Sequence, residues 1–143
     1  MRAGPLRRER GPRNPGIKSM SWRYSQSTGH LLDPNGSLLS VGYSGRGEGL
    51  NAPEYQNVPD VGPLPQGAWE IGEPYDSPDH GPYVLPLTPL EGTETFGRTA
   101  FKCHGDEKEH PGEHLASLGC MIQARFARIA LWERNDHILE VVP

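Results

Sequence analysis

Two stretches decide how this chain reads: Arg98-Thr99-Ala100-Phe101-Lys102-Cys103-His104, and residues 121–142, from Met121 to Val142. The first has the two-residue alternation of a strand. With Phe101 and Cys103 turned to a core, Lys102 and His104 face the other side. His104 then ends the strand, directly before Gly105. In the second stretch the period changes. Ile122, Phe126, Ile129 and Ala130 form a helical apolar stripe, with Gln123, Arg125, Arg128 and Arg134 outside it. Asn135-Asp136 ends that helix, and residues 137–142 read as a last strand.

Working outward, strand patterns dominate. Trp22-Arg23-Tyr24-Ser25-Gln26 alternates large apolar with polar residues, and Leu38 to Tyr43 reads as a returning strand. Thr28-Gly29 and Asp33-Pro34-Asn35-Gly36 supply turn chemistry between them, so the chain opens on hairpins. Ala68-Trp69-Glu70-Ile71 and Tyr83-Val84-Leu85-Pro86-Leu87 are two more strands, the second limited by Pro86 to an edge or a bulge. Residues 44–65 carry Gly45, Gly47, Gly49, Pro53, Pro59, Gly62, Pro63 and Pro65, a long irregular loop. Such a loop in a small domain is either a binding wall or lid, or an ordered surface segment. With 18 glycines and 15 prolines in 143 residues, a helix bundle is excluded. The expected fold is one mostly-β domain over residues 20–143, with one α-helix after Cys120 and a final β-strand.

The charge is uneven. Residues 1–20 hold six of the 14 basic residues and one acid, whereas the rest hold eight basic and 17 acidic ones. An acidic body offers no basic face to a nucleic acid. No apolar run approaches the ~18 residues that would span a membrane. Two cysteines are too few for a disulfide scaffold or a four-thiolate zinc site. Residues 1–19 are rich in Arg, Gly and Pro and lack the apolar stretch of a secretory signal. We expect this segment to be disordered, either as an extension upstream of a start at Met20 or as a basic docking tail.

The chemistry concentrates in His104-Gly105-Asp106 and Ser117-Leu118-Gly119-Cys120. A thiol is a good nucleophile only as thiolate, and an imidazole or a helix N-terminus lowers its pKa. Cys120 stands just before the helical stripe, where the positive end of the dipole would favour a negative sulfur. The N–H groups of Gly119 and Cys120 are candidate oxyanion donors. Cys103, in mid-strand beside Phe101, reads as a small buried hydrophobe. Asp106 either orients His104 or caps a turn, and the turn is favoured.

His-Gly followed after a variable loop by Ser-x-Gly-Cys resembles the signature of L,D-transpeptidases. The order His then Cys is the reverse of papain-like peptidases. Further blocks resemble the small L,D-transpeptidase-related effectors delivered by type VI secretion: residues 22–29, Gly42-Tyr43-Ser44-Gly45, Asn51, residues 62–67 and Gly97-Arg98. The likeness spans about Ser21 to Pro143. It implies an L,D-transpeptidase-like β-sandwich that acts on peptidoglycan stem tetrapeptides through a cysteine thioester. Water as acceptor would make it an L,D-carboxypeptidase, and a D-amino acid would give exchange. The resemblance makes Cys120 the nucleophile and His104 the base, with Ser117 and Gly119 shaping the oxyanion pocket. Tyr43, Ser44 and Arg98 become candidate substrate contacts or supports behind the reacting groups, and Gly105 a candidate substrate contact. No cofactor is implied. An antibacterial effector of this kind would be made in the cytoplasm, be injected into a target periplasm, and have an immunity protein and a delivery component as partners. One departure stands out: Leu118 and Ile122 replace the His and the Arg or Asn of many housekeeping enzymes, which fits the effector-like subgroup.

Three rival readings compete. Cys103, His104, His110, His114 and Cys120 could hold zinc, although Pro111-Gly112 interrupts a His110–His114 helix and a solvated loop is the simpler account. Cys103 and Cys120 could form a disulfide in a non-catalytic envelope or phage-particle protein. Trp22, Tyr24, Tyr43, Tyr55, Trp69 and Tyr83 could line a peptidoglycan-binding groove, although aromatics more often build a core.

Overall fold

The computed structural model describes residues 21–109, 112–134 and 136–143. The expectations for residues 1–19, Met20, His110, Pro111 and Asn135 fall outside these residues. The chain is mostly β, with one α-helix. Strands β1 (Trp22–Ser25), β2 (His30–Leu32) and β3 (Leu38–Val41) form the two expected hairpins. The second closes through Asp33, whose carboxylate accepts the Asn35 and Ser37 N–H groups.

The returning strand stops at Val41, two residues short of the expected end. A Cβ on Gly42 would collide with the Ile122 carbonyl, so only glycine lets the chain cross there. Tyr43–Ser44 (β4) then pairs elsewhere. The remaining elements are β5 (Gly67–Ile71), β6 (Tyr75–Ser77), β7 (Gly81–Pro89), β8 (Lys102–His104), β9 (Met121–Ile122), α1 (Arg125–Glu133) and β10 (Ile138–Val142). They form a mixed sheet in the order β3-β2-β1-β10-β5-β7-β8-β9-β4, with β6 beside β7.

Strand β7 joins two parts of this sheet. Its end pairs with β5, its middle with β8 and its start with β6. Pro86 sits inside the strand, where the partner on one side changes from β5 to β6, so its missing N–H costs little there. On the other side of β5, β10 lies parallel to β1, Trp22 beside Leu139, which brings the last strand next to the first in the interior of the sheet.

Trp22, Tyr24, Leu31, Trp69, Leu85, Cys103, Leu131 and Leu139 are fully buried in one core. Both core tryptophans keep their indole N–H groups satisfied, Trp22 on Asp136 O at 2.9 Å and Trp69 on Pro65 O at 3.0 Å. With Trp22, Tyr24 and Trp69 buried, the aromatic-groove reading loses its main side chains.

Two expectations near the site are corrected. The strand expected over residues 98–104 is extended only from Lys102, because the Arg98 N–H closes a turn on Thr95 O and Ala100 adopts φ 65°. The helix does not start at Cys120. Met121 and Ile122 are strand, held between β8 and β4, and the helix begins only at Arg125. Ile122 therefore leaves the helical stripe, and Phe126 is exposed. The buried face is Ala127, Arg128 and Leu131. Arg128 is tolerated there because its guanidinium donates to the carbonyls of Gln123, Pro82 and Tyr83.

Candidate active site

Strand β8 presents Lys102 and His104 on the face opposite Cys103, as the alternation requires. Parallel pairing sets Cys103 beside Met121 and His104 beside Ile122, which leaves Cys120 level with Lys102 at the end of β9. His104 and Cys120 thus come from adjacent strand ends and line one cleft of about 400 Å³. Pro59 and Asp60, from the long Gly/Pro-rich loop, form part of its wall. That loop is ordered by two 3-10 turns, Gly47–Gly49 and Pro53–Tyr55.

His104 is 2% exposed. Its Nδ1 lies 2.9 Å from the Gly105 carbonyl oxygen. A carbonyl can only accept, so the ring proton sits on Nδ1 and Nε2 carries a lone pair. That Nε2 is buried without a hydrogen-bond partner. Burial is the main cause of a pKa lowered to about 4, only partly offset by the Gly105 hydrogen bond, so the ring is neutral at pH 7. The His80 ring stacks on it at 4.3 Å and 20° between planes. His80 belongs to the turn joining β6 and β7, and nothing in its local sequence singled it out.

Cys120 is 9% exposed and free, as is Cys103, so the disulfide alternative has no support. Burial pushes the Cys120 thiol above its ordinary value. A hydrogen bond from the Lys102 backbone N–H and the charges of Lys102 and Arg98 oppose that shift. Activation by a helix dipole is therefore corrected: the helix starts too late, and a β-strand N–H takes that place.

Ser117 and Ser44 are fully buried and act as braces, and neither has surface to offer a substrate. Both hydroxyls donate to the Cys120 carbonyl, at 2.7 and 2.8 Å. Ser44 Oγ also accepts from Leu64 N–H, and Ser117 Oγ from Gly45 and Gly119 N–H. The Gly119 N–H is thus already bonded and is no open oxyanion donor. Gly119 itself, at φ 128°, is required because a Cβ there would meet the Arg98 guanidinium.

Arg98 is likewise a brace. It donates to the carbonyls of Gln56, Gly62 and Pro63 and lies over the Phe101 ring. Tyr43 and Gly105 face a neighbouring hollow instead of the cleft. The Tyr43 hydroxyl donates to Asp106 at 2.7 Å and accepts from Ala116 N–H. Asp106 also receives the Glu107 and Gly112 N–H groups, the favoured turn role. Burial opposes ionisation of Asp106, but these donors outweigh it and hold its pKa below the ordinary value. Among the described residues no three His, Cys, Asp or Glu side chains are grouped to hold a metal ion. Likewise, no described helix is long and apolar enough to cross a membrane.

No protein-family model, curated protein or solved structure matches this chain.

Proposed function

We propose that this protein is a peptidoglycan-directed cysteine enzyme of the L,D-transpeptidase type, acting on stem tetrapeptides. The observation that carries the reading is the shared cleft: a free thiol and a neutral imidazole with an unpartnered Nε2 line it together, in the chain order of the His-Gly and Ser-x-Gly-Cys motifs. The mostly-β chain with its single helix supports the reading at the level of fold class.

Both groups are neutral at rest, so proton transfer would accompany attack instead of preceding it. Cys120 Sγ would bond to the carbonyl carbon of the residue before the terminal D-alanine while its proton passes to His104 Nε2. That proton would then go to the departing amine as the C–N bond breaks, leaving a thioester. Water, deprotonated by the same Nε2, would release the shortened peptide and restore the thiol. A D-amino acid in place of water would give exchange. The proposed setting is an injected antibacterial effector, with an immunity protein as its natural partner.

Incubating purified muropeptides with the protein and with Cys120→Ala tests this. Loss of D-alanine with the intact chain alone supports the reading. Intact tetrapeptides under both conditions overturn it.

A further inference from the structure

The motifs assign Lys102 no role, yet of the two cations Lys102 and Arg98 that line the cleft it is the one whose donors are least committed. Its ammonium lies 3.4 Å from the Ala100 carbonyl oxygen, its only described hydrogen bond, and Cys120 Sγ lies 3.9 Å from that same oxygen. Ammonium and sulfur are therefore held within the sum of those two distances. Arg98, the other cation lining the cleft, has both terminal nitrogens committed to three backbone carbonyls. The ammonium of Lys102 is a compact charge on a flexible stem and can turn to an incoming anion.

The geometry fixes where that anion would sit on a ligand. Consecutive residues of a peptide are at most about 3.8 Å apart. A carbonyl carbon in contact with Cys120 Sγ leaves the carboxylate of the next residue within reach of Lys102 Nζ. We propose that Lys102 is a specificity-determining residue that binds the terminal carboxylate of a peptide ending one residue beyond the bond attacked by Cys120. The site is then an exopeptidase site, closed to stems that continue past that residue. The proposal rests on the reading of Cys120 as the acyl-forming nucleophile.

Two measurements separate its failure from failure of that reading. The first needs no peptidase activity. The rates at which Cys120 is alkylated by iodoacetate and by iodoacetamide are compared in the native chain, Lys102→Met and Lys102→Arg, with free cysteine as reference. The native iodoacetate-to-iodoacetamide ratio should exceed that of free cysteine severalfold, fall to the reference in Lys102→Met and recover in Lys102→Arg. A ratio indifferent to Lys102 overturns the carboxylate site. The second compares a tetrapeptide ending in free D-alanine with its C-terminal amide. The native chain should favour the free acid by ~10-fold or more in kcat/KM, since a charged hydrogen bond is at stake, and Lys102→Met should lose the preference. Equal cleavage of both by the native chain overturns the proposal and leaves the enzyme reading intact. A Lys102-dependent alkylation ratio without cleavage of either peptide overturns the enzyme reading and, with it, the peptide assignment, leaving only a carboxylate-binding ammonium beside the thiol.

Discussion

Cys103 and Cys120 stand almost side by side on paired strands, yet their surroundings are opposite. Cys103 aligns with Met121, so Cys120 falls one position off that pairing and its side chain emerges on the other face of the sheet. Cys103 is sealed among Trp69, Phe101 and Leu131, and burial drives its pKa far up. The Cys120 thiol is also raised by burial, but it is opposed by a strand N–H and two cations and opens on a cleft beside a neutral imidazole. One step of strand parity separates a packing atom from a candidate nucleophile. Residue type does not distinguish them; the face does.

The sharpest way to break this comparison is substitution. Cys120→Ala should lower tetrapeptide turnover by ~10³-fold or more. Cys103→Ala should keep turnover within about threefold while costing ~1–2 kcal/mol of stability in denaturant titration. Similar losses of activity in both would erase the distinction.

Next in size is His104→Ala, expected to cost ~10²–10⁴-fold in kcat/KM with the fold retained. The pH dependence carries the sign. The folded imidazole has a pKa near 4, below the ordinary 6.5 of the unfolded chain. The unfolded state binds more protons between those values, so the His104 contribution to stability is complete above pH 6.5 and is lost as pH falls toward 4. The acid limb of kcat/KM should follow the same low value. A limb near 6.5 would contradict the buried, neutral imidazole.

Arg98→Met tests the brace behind Cys120. Three carbonyls lose their donor, and ~2–3 kcal/mol of stability should go with them in thermal melts. Arg98→Lys should rescue little, since an ammonium cannot reproduce the planar fork. Smallest is Tyr43→Phe, which removes the hydroxyl shared by Asp106 and Ala116 N–H. It should cost about 1 kcal/mol and speed hydrogen exchange at the Ala116 amide, with the thiol contrast unchanged.

Several features were legible from local sequence. The hairpins around Thr28-Gly29 and Asp33-Pro34-Asn35-Gly36, the β8 alternation and the placement of Cys103 in the core all follow from two-residue periodicity and turn chemistry. The helix start was not legible, because Met121 and Ile122 carry no signal separating strand from first helical turn. Their strand state comes from β8 and β4, far away in the chain. Whether Ser44, Ser117 and Arg98 touch a ligand or support the Cys120 segment was not legible for a related reason. A polar residue near a reactive motif looks like a site group until its partners are known, and here the partners are backbone carbonyls and N–H groups, most of them in distant parts of the chain. His80 could not be found at all, since its stacking on His104 joins a hairpin turn to a strand end.

By itself the sequence determined a mostly-β chain, the parity that separates Cys103 from His104, and the ordered His and Cys that carry the proposed chemistry. Tertiary structure alone decided that the thiol is addressed by a strand N–H in place of a helix dipole, that two buried serines hold its carbonyl, and that Lys102 stands beside it. The reason is physical. Alternation and turn propensity act over a few neighbouring residues, whereas strand pairing and the satisfaction of buried polar groups depend on whatever the folded chain brings alongside.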